Sequence, residues 1–320
     1  QFDVGQGADR QRHARVALLA QGLEARIIHP VGNAGCPLSR RAIGNLALAI
    51  AAVVALSPGL VYMATSSVMS ECAFALAQMA TLIAVERCAT ARDGERFWFY
   101  ALLAAAAASW AFLTRSMAAG LILAALIYFL KERLIKSAVV FAIGVALIAG
   151  SWTIYTRAKA PSPEQRAEVN SYIIRPYTEQ FWDRLAGHES AGSVSIGDLP
   201  GRFWDNISSI AASDSGGIVV PFFSPALNQG LAERGNPMQL IISLLVLGLM
   251  IAGFVSVVQD RLTYAELALS ISLLIIIVWP FPPYRFLLPS LPLLVFYFLM
   301  GCKLLLNLNQ RLTQTKSKGI

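Results

Sequence analysis

The sequence has little charge and few of the residues that build metal or redox sites. Only 14% of its 320 residues are charged, and its three histidines lie far apart. Its four cysteines form no CxxC pair and no spacing typical of metal ligands, so we interpret them as inert apolar residues. No glycine-rich phosphate loop and no supported Ser-His-Asp pattern is found either. We therefore predict neither a metal nor a cofactor.

Long apolar runs dominate what remains. Hydrophobic residues make up 56% of the chain, and its mean hydropathy is +0.57. Such runs predict an all-α integral membrane protein with about eight transmembrane helices and a long extracytoplasmic loop. The predicted spans are 43–62, 67–86, 97–114, 117–131, 135–156, 238–258, 263–280 and 286–306.

The distribution of Lys and Arg predicts the orientation. One set of helix ends is basic, whereas the opposite short connections carry only Arg115 and Arg285. Because cytoplasmic loops are enriched in Lys and Arg, the basic ends are predicted to be cytoplasmic. The net charge of +7 is thus a topology signal, and we expect no nucleic acid partner. The basic ends carry Arg40, Arg41, Arg87, Arg92, Arg96, Lys131, Arg133, Lys136, Arg261, Lys303, Arg311, Lys316 and Lys318.

This topology divides the chain into four segments. Residues 1–39 are predicted to be a cytoplasmic or aberrant segment, and 40–156 a five-helix membrane part. Residues 157–237 are predicted to form the extracytoplasmic loop, which is either a structured cap or a segment that recognises substrate. Within this loop, Glu179–Leu185 has an amphipathic pattern. Residues 238–320 contain three membrane helices and a basic cytoplasmic tail. Since the chain starts with Gln, we expect it to be a fragment.

Three charged residues are predicted at the outer face. Glu71 is either a helix N-terminal charge or a carboxylate that binds sugar hydroxyls or a cation. Arg115, in a short outer turn, either reaches lipid phosphate or serves a site. Arg285 follows Tyr284 in a proline-rich stretch that fixes its position. Two arginines suit a phosphate or pyrophosphate, because guanidinium groups bind phosphate oxygens in pairs.

Three stretches resemble the GT-C membrane glycosyltransferases, in the branch of the protein O-mannosyltransferases and lipid A aminoarabinose transferases. SPGLVYMATSSVMSECAFAL is similar to the family's "P…S…sE" segment, and AFLTRSMAAGLILAALIYFL to its "lTRp.g" helix pair. PPYRFLLPSLPLL resembles the C-terminal "RY..P..P" segment, with the first two residues in the order Tyr284-Arg285. The matches span roughly residues 40–135 and 275–305.

The resemblance implies an enzyme of the bacterial inner membrane with an extracytoplasmic active face. It implies sugar transfer from a polyprenyl-phosphate donor to a lipid, glycan or protein acceptor, with membrane lipids as further partners. Glu71 matches the family's second acidic position, an assisting or substrate-binding one, and Arg115, Arg285 and Tyr284 match donor- or cavity-binding places.

One departure concerns the family's principal catalytic Asp, which lies in a first outer loop with no counterpart in residues 1–39. The alternatives are therefore a polymerase, flippase or transporter of lipid-linked glycans, or an inactive truncated membrane subunit.

Overall fold

The computed structural model describes residues 40–65, 70–91, 96–162, 165, 177–184, 192–220 and 237–317. These residues are almost entirely helical. Within these ranges, the extended pairing is limited to one isolated bridge between Asp183 and Ser193. The predicted all-α class is confirmed for the described part of the chain. The predicted segment 1–39 lies outside the described residues.

The helices are numbered here in chain order, and two of them continue through a π-helical turn. A turn at Ala146–Gly150 lies inside α6, and a second at Ile210–Asp214 joins α8 to α9. The bounds are α1 Arg40–Ala55, α2 Pro58–Thr65, α3 Glu71–Ala91, α4 Phe97–Thr114, α5 Ala119–Lys131, α6 Ile135–Ala158, α7 Tyr177–Gln180, α8 Leu199–Ser209, α9 Ser215–Val219, α10 Pro237–Asp260, α11 Tyr264–Val278, α12 Pro283–Leu287 and α13 Leu291–Ser317.

Among the described residues, five helical stretches are long and apolar enough to cross a membrane. They are α3, α4, α6, α10 and the stretch Pro283–Asn307, which joins α12 to the first part of α13. The chain is therefore a multi-pass membrane protein. Three other predicted spans correspond to shorter apolar helices, Gly44–Ala55, Ser116–Lys131 and Tyr264–Val278.

The first predicted span, 43–62, is not one continuous helix. Helix α1 ends at Ala55, and Pro58 starts α2 after a break at Ser57. Proline lacks the amide hydrogen of a helix interior and disfavours helical backbone in the residue before it. The next predicted span, 67–86, is also shifted, since α3 begins at Glu71 and runs to Ala91.

The described part of the predicted loop 157–237 packs against the membrane helices. Helix α8 packs on α11, and the π-helical turn and α9 pack on α10. The Asn206 side chain donates hydrogen bonds to the carbonyls of Ile277 and Trp279, at 2.8 and 2.9 Å, at the end of α11. A Cβ on Gly216 would overlap the Ser243 hydroxyl of α10. This segment therefore covers the helix ends closely.

The predicted amphipathic stretch Glu179–Leu185 is not a helix over its described residues. Helix α7 ends at Gln180, and the chain then turns through Phe181 and Trp182. Leu185 lies outside the described residues. Phe181 packs inward, with its ring 6.0 Å from that of Trp279.

Small residues allow the membrane helices to approach closely, as is common where helices pack in lipid. Helices α3 and α4 pack along each other, and the buried alanines of α4 supply a smooth contact surface. Gly253 of α10 lies so close to α13 that an added Cβ would overlap the Tyr297 carbonyl oxygen. Gly301 makes the reciprocal approach to Leu249. These contacts fix the helix register and hence the height of each helix end.

The ends predicted to be cytoplasmic also meet. Lys131 Nζ donates to the carbonyl of Leu262 at 2.8 Å, which ties the end of α5 to the start of α11. At the same end, the fully buried Glu266 accepts a 2.6 Å hydrogen bond from Tyr297 and caps α11 together with Thr263. The two ends of the helix set therefore carry separate polar clusters.

Candidate functional site

Glu71 is the first residue of α3, and its side chain is fully buried. A carboxylate suits this position because the N-terminus of a helix carries partial positive charge. Burial of a charge is costly unless the charge is paired. The position therefore requires cationic or hydrogen-bonding partners.

Arg115 supplies the first partner. It lies in extended conformation between α4 and the 3-10 turn Ser116–Ala118, which places its side chain beside the start of α3. Its Nη2 donates to Glu71 Oε1 at 2.6 Å, and its Nε donates to the Ser70 hydroxyl at 3.2 Å. The guanidinium also lies 5.2 Å from the centre of the Phe286 ring. With only 11% of its side chain exposed, Arg115 is held on several sides.

Arg285 supplies the second partner. Pro282 and Pro283 start α12, which carries Arg285 in its first turn. Its Nε donates to the same oxygen, Glu71 Oε1, at 2.5 Å. The edge formed by Nη1 and Nη2 is not used by Glu71, and 35% of the Arg285 side chain is exposed. Arg285 is therefore the more accessible of the two arginines.

Tyr284 and the Ser57-Pro58-Gly59 break complete the surroundings. Tyr284 is buried, and its hydroxyl would lie 2.7 Å from a Cβ on Gly59. Leu288 would lie at 2.8 Å from the same Cβ. Glycine at this position therefore allows α2 to pack directly on the segment that carries Arg285.

The structure joins three of the four site residues predicted from sequence, namely Glu71, Arg115 and Arg285. The fourth, Tyr284, precedes Arg285 in α12, and its hydroxyl lies beside Gly59. Glu71 and Arg285 are 214 positions apart in the chain. The cluster of one carboxylate and two guanidinium groups has a formal charge of +1. Glu71 Oε2 is buried and has no hydrogen-bond partner among the described residues. The arrangement thus offers positive charge for an anion and one carboxylate oxygen for a hydroxyl donor.

Asp214 is a further buried carboxylate, which the sequence did not indicate. It ends the π-helical turn that packs against α12, and it is 4% exposed. The hydroxyls of Ser209 and Ser213 donate to its two oxygens, each at 3.2 Å. Burial raises its pKa to about 6, and the two serine hydrogen bonds oppose that rise. The only sequence feature near Asp214 is a group of small polar residues, and such a group is typical of an ordinary loop.

The described part of the chain offers little to a metal ion. No group of three His, Cys, Asp or Glu residues suited to a metal ion occurs there. No disulfide joins Cys72, Cys88 and Cys302 to one another in that part of the chain. Cys36 and the three histidines lie outside the described residues.

Comparisons of the chain with family models, curated proteins and solved structures gave no match. The function is therefore inferred from the residues of the site and their geometry.

Proposed function

We propose that the chain is the membrane part of a glycosyltransferase of the GT-C type, which takes a sugar from a polyprenyl-phosphate donor. The observation that carries this proposal is the buried Glu71 joined through one oxygen to both Arg115 and Arg285. The net positive charge suits a lipid-linked phosphate, and the second carboxylate oxygen suits a sugar or acceptor hydroxyl. The resemblance of the three stretches that carry these residues supports the choice of donor.

The two arginines have different roles in this proposal. Arg115 is held by Ser70, Glu71 and the Phe286 ring, so we assign it to positioning the carboxylate. Arg285 is more exposed and contacts Glu71 through Nε alone, so we assign its Nη1–Nη2 edge to the donor phosphate. Charge-assisted pairs of hydrogen bonds of this kind bind phosphate with defined orientation.

The proposed reaction is an inverting group transfer. The acceptor oxygen forms a bond to the anomeric carbon, and the bond from that carbon to the phosphate oxygen breaks. The electron pair and the negative charge leave with the polyprenyl phosphate, where a nearby guanidinium stabilises them. Since Glu71 Oε1 is already engaged by two cations, we assign Glu71 to binding and orienting a hydroxyl, and the proton goes to a separate base.

The membrane arrangement of the proposal has eight spans. The shorter apolar helices would cross together with the five long ones, so that the Glu71 cluster faces the extracytoplasmic side of a bacterial inner membrane. The meeting of Lys131 with Leu262 at the opposite end supports this alternation.

A binding experiment tests the site before the sugar and the acceptor are known. The full chain in lipid nanodiscs is titrated with a polyprenyl phosphate and with the polyprenol of the same length, which lacks the phosphate. We expect tighter binding of the phosphate, and loss of that preference in Arg285→Gln. Arg261→Gln, an exposed arginine at the opposite end, is the matched control and is expected to keep the preference.

The enzymatic part is tested with radiolabelled polyprenyl-phosphate sugars. The full-length protein is expected to release polyprenyl phosphate in the presence of acceptor, and Glu71→Gln is expected to slow the release. Equal binding of the phosphate and the polyprenol by the wild-type chain would contradict the site. Phosphate binding without sugar transfer would favour an inactive subunit or a carrier of lipid-linked glycans.

A further inference from the structure

Helix α8 has its polar face turned inward and its apolar face turned outward. Arg202, Asn206, Ser209 and Ser213 recur at positions i, i+4, i+7 and i+11, the spacing of one helix face that continues into the π-helical turn. Each of them makes an inward hydrogen bond or contacts Asp214. In a water-soluble domain, the apolar face of a surface helix faces the core instead.

The inward polar face is well satisfied. The two terminal nitrogens of Arg202 donate to the carbonyls of Phe181 and Asp183, each at 2.6 Å. The Asn206 side chain donates to two carbonyls at the end of α11. The orientation of α8 about its own axis is therefore fixed by specific contacts.

The apolar stripe consists of Pro200, Phe203, Trp204 and Ile207, which recur at i, i+3, i+4 and i+7. Phe203 is 41% exposed and Trp204 is 68% exposed. Ile196, in the preceding 3-10 turn, is 75% exposed. A third face carries Gly201, Asp205 and Ser208. Gly201 and Ser208 border the stripe beside Trp204, whereas Asp205 lies away from it.

The neighbours of α8 indicate what covers the stripe. Helix α8 is bound to the end of α11, and the segment that follows it packs against α10, a membrane-spanning helix. The outer surfaces of both helices are apolar, with Leu274 of α11 62% exposed and Ile241 of α10 62% exposed. These surfaces face lipid in a membrane protein, and α8 packs on α11 with Phe203 and Trp204 of its stripe exposed.

We propose that α8 lies in the bilayer interface and inserts its apolar stripe, led by Trp204, at the boundary between headgroups and acyl chains. Tryptophan is favoured at this depth because its ring is apolar and its N–H is polar. Asp205 then faces the aqueous side. The proposal does not depend on glycosyl transfer, and its test uses no substrate.

The test compares neighbouring positions of α8 in the full chain. The four native cysteines, Cys36, Cys72, Cys88 and Cys302, are first replaced by alanine. Single cysteines are then introduced as Phe203→Cys and Trp204→Cys on the stripe, and as Asp205→Cys and Ser208→Cys on the third face. Each is spin-labelled in nanodiscs of phosphatidylcholine and phosphatidylglycerol, and collision rates with oxygen and with a water-soluble nickel reagent are measured.

We expect the ratio of oxygen to nickel collisions to be several-fold higher at 203 and 204 than at 205, with an intermediate ratio at 208, which borders the stripe. A nickel-dominated ratio at all four positions would overturn the proposal, because the stripe would then face water. Exclusion of both reagents at 203 and 204 would also overturn it, because protein would then cover the stripe.

A second measurement keeps the proposal testable if a labelled variant fails to fold. The wild-type chain and Trp204→Phe are placed in nanodiscs with brominated lipids, which quench tryptophan near the acyl chains. The emission of the variant is subtracted from that of the wild type, which isolates the contribution of Trp204, and we expect this difference to be smaller in brominated lipids than in the same lipids without bromine. An equal difference in the two lipids would place Trp204 away from the acyl chains and refute the proposal.

Discussion

Glu71→Gln tests the energetic role of the buried carboxylate. The substitution keeps the size of the side chain and an acceptor oxygen at the meeting point of Arg115 and Arg285 but removes the negative charge. In the wild-type protein both arginines donate to Oε1, at 2.6 and 2.5 Å. Hydrogen bonds to charged groups contribute about 1.5–3 kcal/mol each, about twice the value for neutral pairs.

Repulsion between the arginines is present in the wild type and in the variant, so it does not enter the difference. The loss comes from the replacement of two charge-assisted hydrogen bonds by neutral ones of about half the value, about 1.5–3 kcal/mol for the pair. Solvent reduces the share of Arg285, whose side chain is 35% exposed. We therefore expect Glu71→Gln to lower the free energy of unfolding by about 1–3 kcal/mol.

A double-mutant cycle separates the two ion pairs. Glu71→Gln is combined with Arg115→Gln and, separately, with Arg285→Gln, and unfolding is followed in mixed micelles with increasing dodecyl sulfate. We expect a coupling energy of about 2 kcal/mol for the largely buried Arg115 and less than about 1 kcal/mol for Arg285, after the discount for its exposure.

The chain provides its own control pair. Lys131 and Glu132 form an ion pair at 3.1 Å, with side chains 40% and 21% exposed, and we expect coupling near zero there. If Glu71 and Arg115 couple no more strongly than this pair, the reasoning about the buried cluster is wrong. If Arg285 couples more strongly than Arg115, the division of roles between the two arginines is wrong.

Three further outcomes follow from other contacts. Gly253→Ala is expected to destabilise the protein by about 1–3 kcal/mol or more, because its Cβ would overlap the Tyr297 backbone. Gly248→Ala, on the same helix, is the control and is expected to be neutral, because its Cβ would meet no atom. Thermal unfolding in detergent compares the two variants. Tyr297→Phe removes the 2.6 Å hydrogen bond to Glu266 and is expected to cost about 1.5–3 kcal/mol in the same assay, and an unchanged midpoint would contradict this. In the folded protein the pKa of Asp214 is about 6, above the ordinary value of 3.8, so the stability of the wild type falls as pH rises between these two values. Asp214→Asn is expected to remove that fall. At about pH 7.5 the variant is expected to unfold at a higher midpoint than the wild type, with a free energy of unfolding greater by up to about 3 kcal/mol.

The helical class and the approximate positions of the membrane helices follow from the amino-acid sequence alone. Apolar runs of about 20 residues have essentially one stable form in a bilayer, because the backbone must satisfy its own hydrogen bonds there. Alternation of such helices also places Glu71, Arg115 and Arg285 at one end of the protein, since each lies near the same kind of helix boundary. For this reason the residues of the candidate site are predictable from the amino-acid sequence.

Which atoms of the site meet depends on the packing of distant segments and cannot be derived from the sequence. Glu71 and Arg285 share a hydrogen bond across 214 positions of chain, and that contact depends on how α3, α4 and α12 pack. The burial of Asp214 and the inward polar face of α8 also result from the packing of distant segments. The local pattern of polar residues there is that of a solvent-exposed loop, which does not predict burial. Hydrophobicity along the chain fixes which segments enter the membrane, whereas close packing between distant segments fixes which side chains are removed from water and paired.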